Sequence, residues 1–402
     1  MKRRTFLKTS ATAVGLLSMA SCGGGGNEAP PPVVPAPAPP PDPAPAPPPS
    51  QPPNDGTLPV WRRGMAVGEW RQVPGSALAS APISVKTFPT LATTGPESKV
   101  IAWCGFAIDT RDSTLYSAAN GGHNDYAGNE VNSIRLSDDA PAWAERRAST
   151  PVSQIRANSS HYADGRPTSR HSYYGSVCNE FRNRVMIFVG SRYGDGWQFS
   201  ASDGFDISTN EWDPARTFAD PPSELSADFG AAIVEQKSSG DVYAFAYWSV
   251  LRWNSATNTW TRLLTGTPIY GFESASAFDS RRNRVLVVGG TNDDRFSYDI
   301  ASNTVQAITF TGTNAGAVSG NGNGLIYEPT LDAYLLRRGS AGATVYRIDA
   351  QSFRVDVLPT SGGASIPPSI NEVYRRFLYA PGLGGVVYCP SYDGNLWFLR
   401  TA

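Results

Sequence analysis

One stretch of sequence recurs along the chain and limits what it can fold into. Cys178-Asn179-Glu180-Phe181-Arg182-Asn183-Arg184-Val185 and Phe278-Asp279-Ser280-Arg281-Arg282-Asn283-Arg284-Val285 share one plan. Each reads as a strand end, a polar turn and the start of an apolar strand. That second strand closes on Val189-Gly190-Ser191 or Val288-Gly289-Gly290. The same turn stands at Asp109 to Leu115, Glu235 to Val242, Glu328 to Tyr334 and Ala380 to Val386. The anchor positions 109, 179, 235, 279, 328 and 380 are 70, 56, 44, 49 and 52 residues apart. A four-stranded unit repeated at about 40–50 residues is the mark of propeller blades, since one small sheet cannot bury its faces alone. Gly (39) and Pro (33) punctuate the 402 residues, and long helix-period stretches are absent. The expected fold is therefore all-β: a single β-propeller of six four-stranded blades. A seventh blade requires further strands within Pro151 to Arg170, the source of the long first spacing.

The back half of each unit agrees. Arg252 to Trp260 is a strand, an Asn/Ser/Thr turn and a strand beginning with Trp; Phe205 to Trp212 and Tyr298 to Val305 follow it. A glycine pair after the second strand and a Tyr-Asp…Asn-x-Trp hairpin resemble the kelch family, within the galactose-oxidase-like propeller superfamily. The resemblance covers about residues 66–402. It implies the fold but not the function, because such propellers host both enzymes and binding modules. The sixth unit runs out at Asn395 to Leu399 without a last strand. Gly68-Glu69-Trp70-Arg71-Gln72-Val73 reads as an orphan fourth strand that would complete it and remove the free edges.

The N-terminus is an address. Arg3-Arg4-Thr5-Phe6-Leu7-Lys8 resembles a twin-arginine export motif, Ala11 to Ala20 is too short to span a bilayer, and Met19-Ala20-Ser21-Cys22 resembles a lipobox. Residues 1–21 are expected to be a signal peptide and Cys22 the lipidated residue. Residues 22–57 follow as a tether, with 15 Pro among residues 30–53; such a segment builds no core and extends as polyproline II. The domain would span 58–402, exported and held to a membrane, periplasmic or at the cell surface. Net charge is −1, so nucleic acid is not expected as a partner, and a monomer is.

In a four-stranded antiparallel blade, the loop after strand two and the loop leading into the next blade share one face. On that face the sequence places Asn124, Asp125, Arg192, Tyr193, Trp248, Glu273, Asn292, Arg337, Asn371 and Tyr392 as candidate ligand-binding residues. Aromatic platforms and planar hydrogen-bonding groups suit sugar rings, and arginines suit uronate or sulfate. The expected function is binding of glycan, with acidic polysaccharide favoured. The alternative is a polysaccharide lyase in which His123, His171 and Tyr173 handle a proton and Arg170 binds the acidic group. A copper-radical oxidase fits less well, since all three histidines (His123, His161 and His171) lie in one sector and no Cys–Tyr pairing is visible. No cofactor is expected. A metal held by His123, Asp125 and His171 is weighed but not assigned, since no ligand spacing is diagnostic. Cys104, Cys178 and Cys389 allow one bridge at most and are expected to pack as small apolar groups.

Overall fold

The computed structural model describes residues 55–85, 94–198 and 201–402. The expected signal peptide, Cys22 and all but the end of the expected tether lie outside the described residues. Six four-stranded antiparallel sheets form a ring, a six-bladed β-propeller. The first blade runs Ala107–Asp109, Thr114–Ala118, Val131–Arg135 and Trp143–Arg147. The second comprises Ser176–Asn179, Arg184–Ile187, Asp203–Asp206 and Glu211–Trp212. The third and fourth start at Ala232–Gln236 and Ser274–Asp279, the fifth at Gly324–Glu328 and the sixth at Phe377–Ala380. The sixth sheet takes its outer strand from the front of the chain: Trp70–Gln72 pairs with Trp397–Arg400, with Trp70 opposite Leu399.

Local side-chain chemistry explains why the repeat folds this way. At the end of strand one, Asp109 Oδ1 accepts the N–H of Arg111 (3.0 Å), Asn179 Oδ1 that of Arg182 (2.9 Å) and Asp279 Oδ1 that of Arg281 (3.0 Å). These bonds satisfy turn amides that would otherwise go unpaired. Ser113, Asn183, Asn283 and Asp332 then take the left-handed conformation that turns the chain, which Asn and Asp tolerate well. The hairpin between strands three and four repeats the device, with Asp206, Asn254, Asp299 and Asp349 each accepting a turn amide.

The long first spacing does not hold a seventh blade. It contains a 3-10 turn, Val152–Gln154, and Arg170–His171, which pairs with Ser191–Arg192 as a two-stranded ribbon and bridges to Asn120. Ile155, Tyr162, Tyr193 and Ala127 cluster beneath it. The three described cysteines are free and buried, and burial pushes the thiols of Cys104 and Cys389 up to about 12.

Candidate functional site

The loops leading into the six blades are stitched to one another around the central mouth. Tyr173 N–H donates to Trp103 O (2.8 Å), Glu273 N–H to Gly230 O (2.8 Å) and Gly322 N–H to Glu273 O (3.0 Å). Tyr374 N–H donates to Gly322 O (2.8 Å), and Phe106 N–H to Arg375 O (3.0 Å). Between the second and third blades the rings of Tyr173 and Phe229 meet at 5.3 Å. This collar places one residue from each lead-in at an equivalent post: Trp103, Tyr173, Phe229, Glu273, Gly322 and Tyr374. Each stands six residues before its anchor at 109, 179, 235, 279, 328 or 380.

The collar is bought with backbone strain. Trp103 (φ 51°), Tyr173 (47°), Glu273 (59°) and Tyr374 (46°) are left-handed, as are His123 (42°), Tyr247 (41°), Trp248 (63°) and Glu372 (64°) in neighbouring loops of the same face. Bulky side chains rarely adopt this conformation, which costs about 1–3 kcal/mol each and gathers at functional sites. At the opposite end of the blades the same conformation falls mainly on Asn and Asp, where it serves only to turn hairpins.

The first two blades bring together His123, Asp125, His171, Tyr173 and Trp103. His171 Nε2 lies 2.8 Å from Asp125 Oδ2, and Thr94 Oγ1 donates to Asp125 Oδ1 (3.1 Å). The His171 ring sits 5.7 Å from His123, 5.2 Å from Trp103 and 6.2 Å from Tyr173. Burial pushes His171 below the usual histidine range despite Asp125, so its imidazole is neutral at neutral pH. Burial pushes Asp125 up, but the hydrogen bonds it accepts from His171 and Thr94 outweigh that and hold its carboxyl below the usual range. Burial pushes the Tyr173 phenol upward, away from ready ionisation.

Arg170 was expected to face an anionic sugar group, but its guanidinium is fully buried and pairs with Asp203 (2.7 Å). Asp203 also accepts His161 Nε2 at 2.9 Å. Arg337 is likewise buried, stacked over the Tyr388 ring at 3.9 Å and bonded to the carbonyl of Gly342. Arg192 is committed to Asp195 (2.8 Å), and Tyr193 is core. Asn371 is half-buried and tied to Ile101 O. Tyr392 is partly buried against the core cluster that includes Trp143 and Phe398. His123, Asn124, Asn292 and Trp248 are exposed on the loop face.

Carboxyls also stand at the mouth. Tyr374 Oη donates to Glu273 Oε1 (2.9 Å), and Asn321 holds the other oxygen. Burial pushes both Glu273 and Glu372 upward, and the charge of Glu273 pushes Glu372 further. On the same face Tyr270 meets both Tyr247 and Trp248 edge to face at 5.3 Å, while Tyr247 and Trp248 are tilted at 6.3 Å, with Trp248 48% exposed. Trp103 was missed in sequence because the first blade's lead-in was not aligned with the rest; the constant six-residue offset is the signal that finds it. No family model matches the chain, and no curated protein matches it.

Proposed function

We propose that this is an exported, membrane-tethered kelch-like propeller that binds glycan through its loop face. What supports the reading is that most of the strained bulky side chains gather on that face. An exposed tryptophan flanked by Tyr247 and Tyr270 is a platform for a sugar ring, and Glu273, Asn321 and Glu372 offer hydroxyl partners on the same face. Arg170, Arg192 and Arg337 do not supply recognition of an acidic group, because they are already paired or buried. The lyase reading keeps a neutral His171 beside Tyr173 but lacks the arginine it assigned to the uronate.

The test is a polysaccharide panel read both for binding and for the ultraviolet absorbance of an unsaturated uronate product. Trp248→Ala should lower affinity for the bound glycan at least about tenfold. Its melting temperature should hold, since an exposed substitution changes stability by about 0.5 kcal/mol or less. Unchanged affinity in this variant removes the platform from the reading, and a rise in absorbance replaces binding with lyase chemistry. The tether is tested separately. Cys22→Ser should move the protein from the membrane fraction to the soluble fraction, and unchanged partition would count against lipidation.

A further inference from the structure

We infer that His123, Asp125 and His171 form a site for one divalent first-row transition-metal ion at the rim of the mouth. Their ligand atoms all lie within 4.8 Å of one another. The His171 Nε2 to Asp125 Oδ2 separation is 2.8 Å. Two ligands at about 2.0–2.1 Å from a metal and at a right angle to each other are about 2.9 Å apart, so the ion can enter with little movement of this pair. Two imidazoles and one carboxylate are the donor set that suits Fe, Zn and other ions of this row, and such sites keep open positions. His123 supplies the exposed side, where those positions face solvent.

The loop is built to hold this shape. Gly121 N–H donates to Arg170 O (3.0 Å) and Gly122 N–H to Ser169 Oγ (2.8 Å), which presses residues 120–126 onto the strand carrying His171. A Cβ on Gly122 would stand 2.3 Å from the backbone nitrogen of His171, so only glycine permits the approach. Thr94 Oγ1 orients the carboxylate from outside, as metal-binding carboxylates require.

A second three-donor group, Asp109, Cys178 and Glu180, shows the contrast. There the chain supplies its own cation: Lys237 Nζ lies 3.0 Å from Glu180, 2.8 Å from Glu235 and 2.9 Å from Cys178 O. Around Asp125 the partners are His171 and Thr94, with no lysine or arginine among the described residues paired to it.

The inference stands apart from the glycan reading, because it is measured without sugar. The full chain, free of any polyhistidine tag and stripped with chelator, is titrated with Co²⁺ and, by calorimetry, with Zn²⁺. The expected result is one ion per chain, visible ligand-field absorption with Co²⁺ and a higher melting temperature with Zn²⁺. His123→Ala, at an exposed post, should melt like the parent protein without metal and lose affinity at least about a hundredfold, since even an outer partner costs roughly 10–100-fold. His161→Ala should bind metal as the parent does. Saturation with no Co²⁺ spectrum, or equal Zn²⁺ affinity in His123→Ala, would overturn the site. If His123→Ala fails to fold, Asp125→Asn carries the same test.

Discussion

Arg170→Ala should destabilise the propeller by about 3–5 kcal/mol. The guanidinium is fully buried and meets Asp203 at 2.7 Å. A buried ion pair is weak evidence for net stability, but removing one partner leaves the other charge stranded out of water, and that is the large term. Burial pushes Asp203 up, yet the hydrogen bond from His161 and the charge of Arg170 outweigh it, so the carboxyl lies below its ordinary range. Its contribution is therefore present above the unfolded value of about 3.9 and is lost as pH falls through the folded value. Without Arg170 that acid-side loss should move to higher pH. Denaturant melts across pH check both parts. The double variant Arg170→Met with Asp203→Leu should recover much of the loss, because no charge is then left alone. A cost below about 1 kcal/mol for Arg170→Ala would return this residue to the ligand-binding reading.

This residue also marks where sequence reading stops. The turns were legible because their chemistry is local: Asp279 caps the amides of Arg281 and Arg282 from two and three residues away. The blade spacing was legible for the same reason. The post of Arg170 depends on Asp203, which arrives 33 residues later, and that of Arg337 depends on Tyr388 in the next blade. Nothing near either arginine in sequence tells a buried one from an exposed one. Tyr193 went the same way, drawn under the excursion by Tyr162 and Ile155. His123, Asp125 and His171 were brought to one face by topology alone, but the 2.8 Å approach of Asp125 to His171 rests on glycine-permitted contact between loops 50 residues apart. The collar lies between these cases: its constant offset is written in the sequence, and only the hydrogen bonds between lead-ins give the offset a meaning.

Deleting residues 1–74 should abolish cooperative folding, whereas deleting residues 23–54 should leave the melting temperature unchanged. The difference lies in what residues 58–73 bury. Trp70–Gln72 covers the strand Trp397–Arg400, which would otherwise be a free edge. Trp70 is 2% exposed, donates from Nε1 to Ala343 O (3.1 Å) and lies under the Arg337 guanidinium at 5.6 Å. Trp61 packs edge-on against Phe398 at 5.5 Å and donates to Leu136 O (3.1 Å), so it joins the sixth blade to the first. Leu58, Met65 and Val73 fill the same core. Removing a buried tryptophan side chain costs about 3–5 kcal/mol. Two of them, with the edge strand, match the whole stability of about 5–15 kcal/mol expected for a domain. The Gly/Pro-rich segment, by composition, has no core to lose. Far-ultraviolet dichroism during a thermal melt reads both truncations. A cooperative melt in the longer deletion within a few degrees of the parent would show that the sixth blade stands without its outer strand.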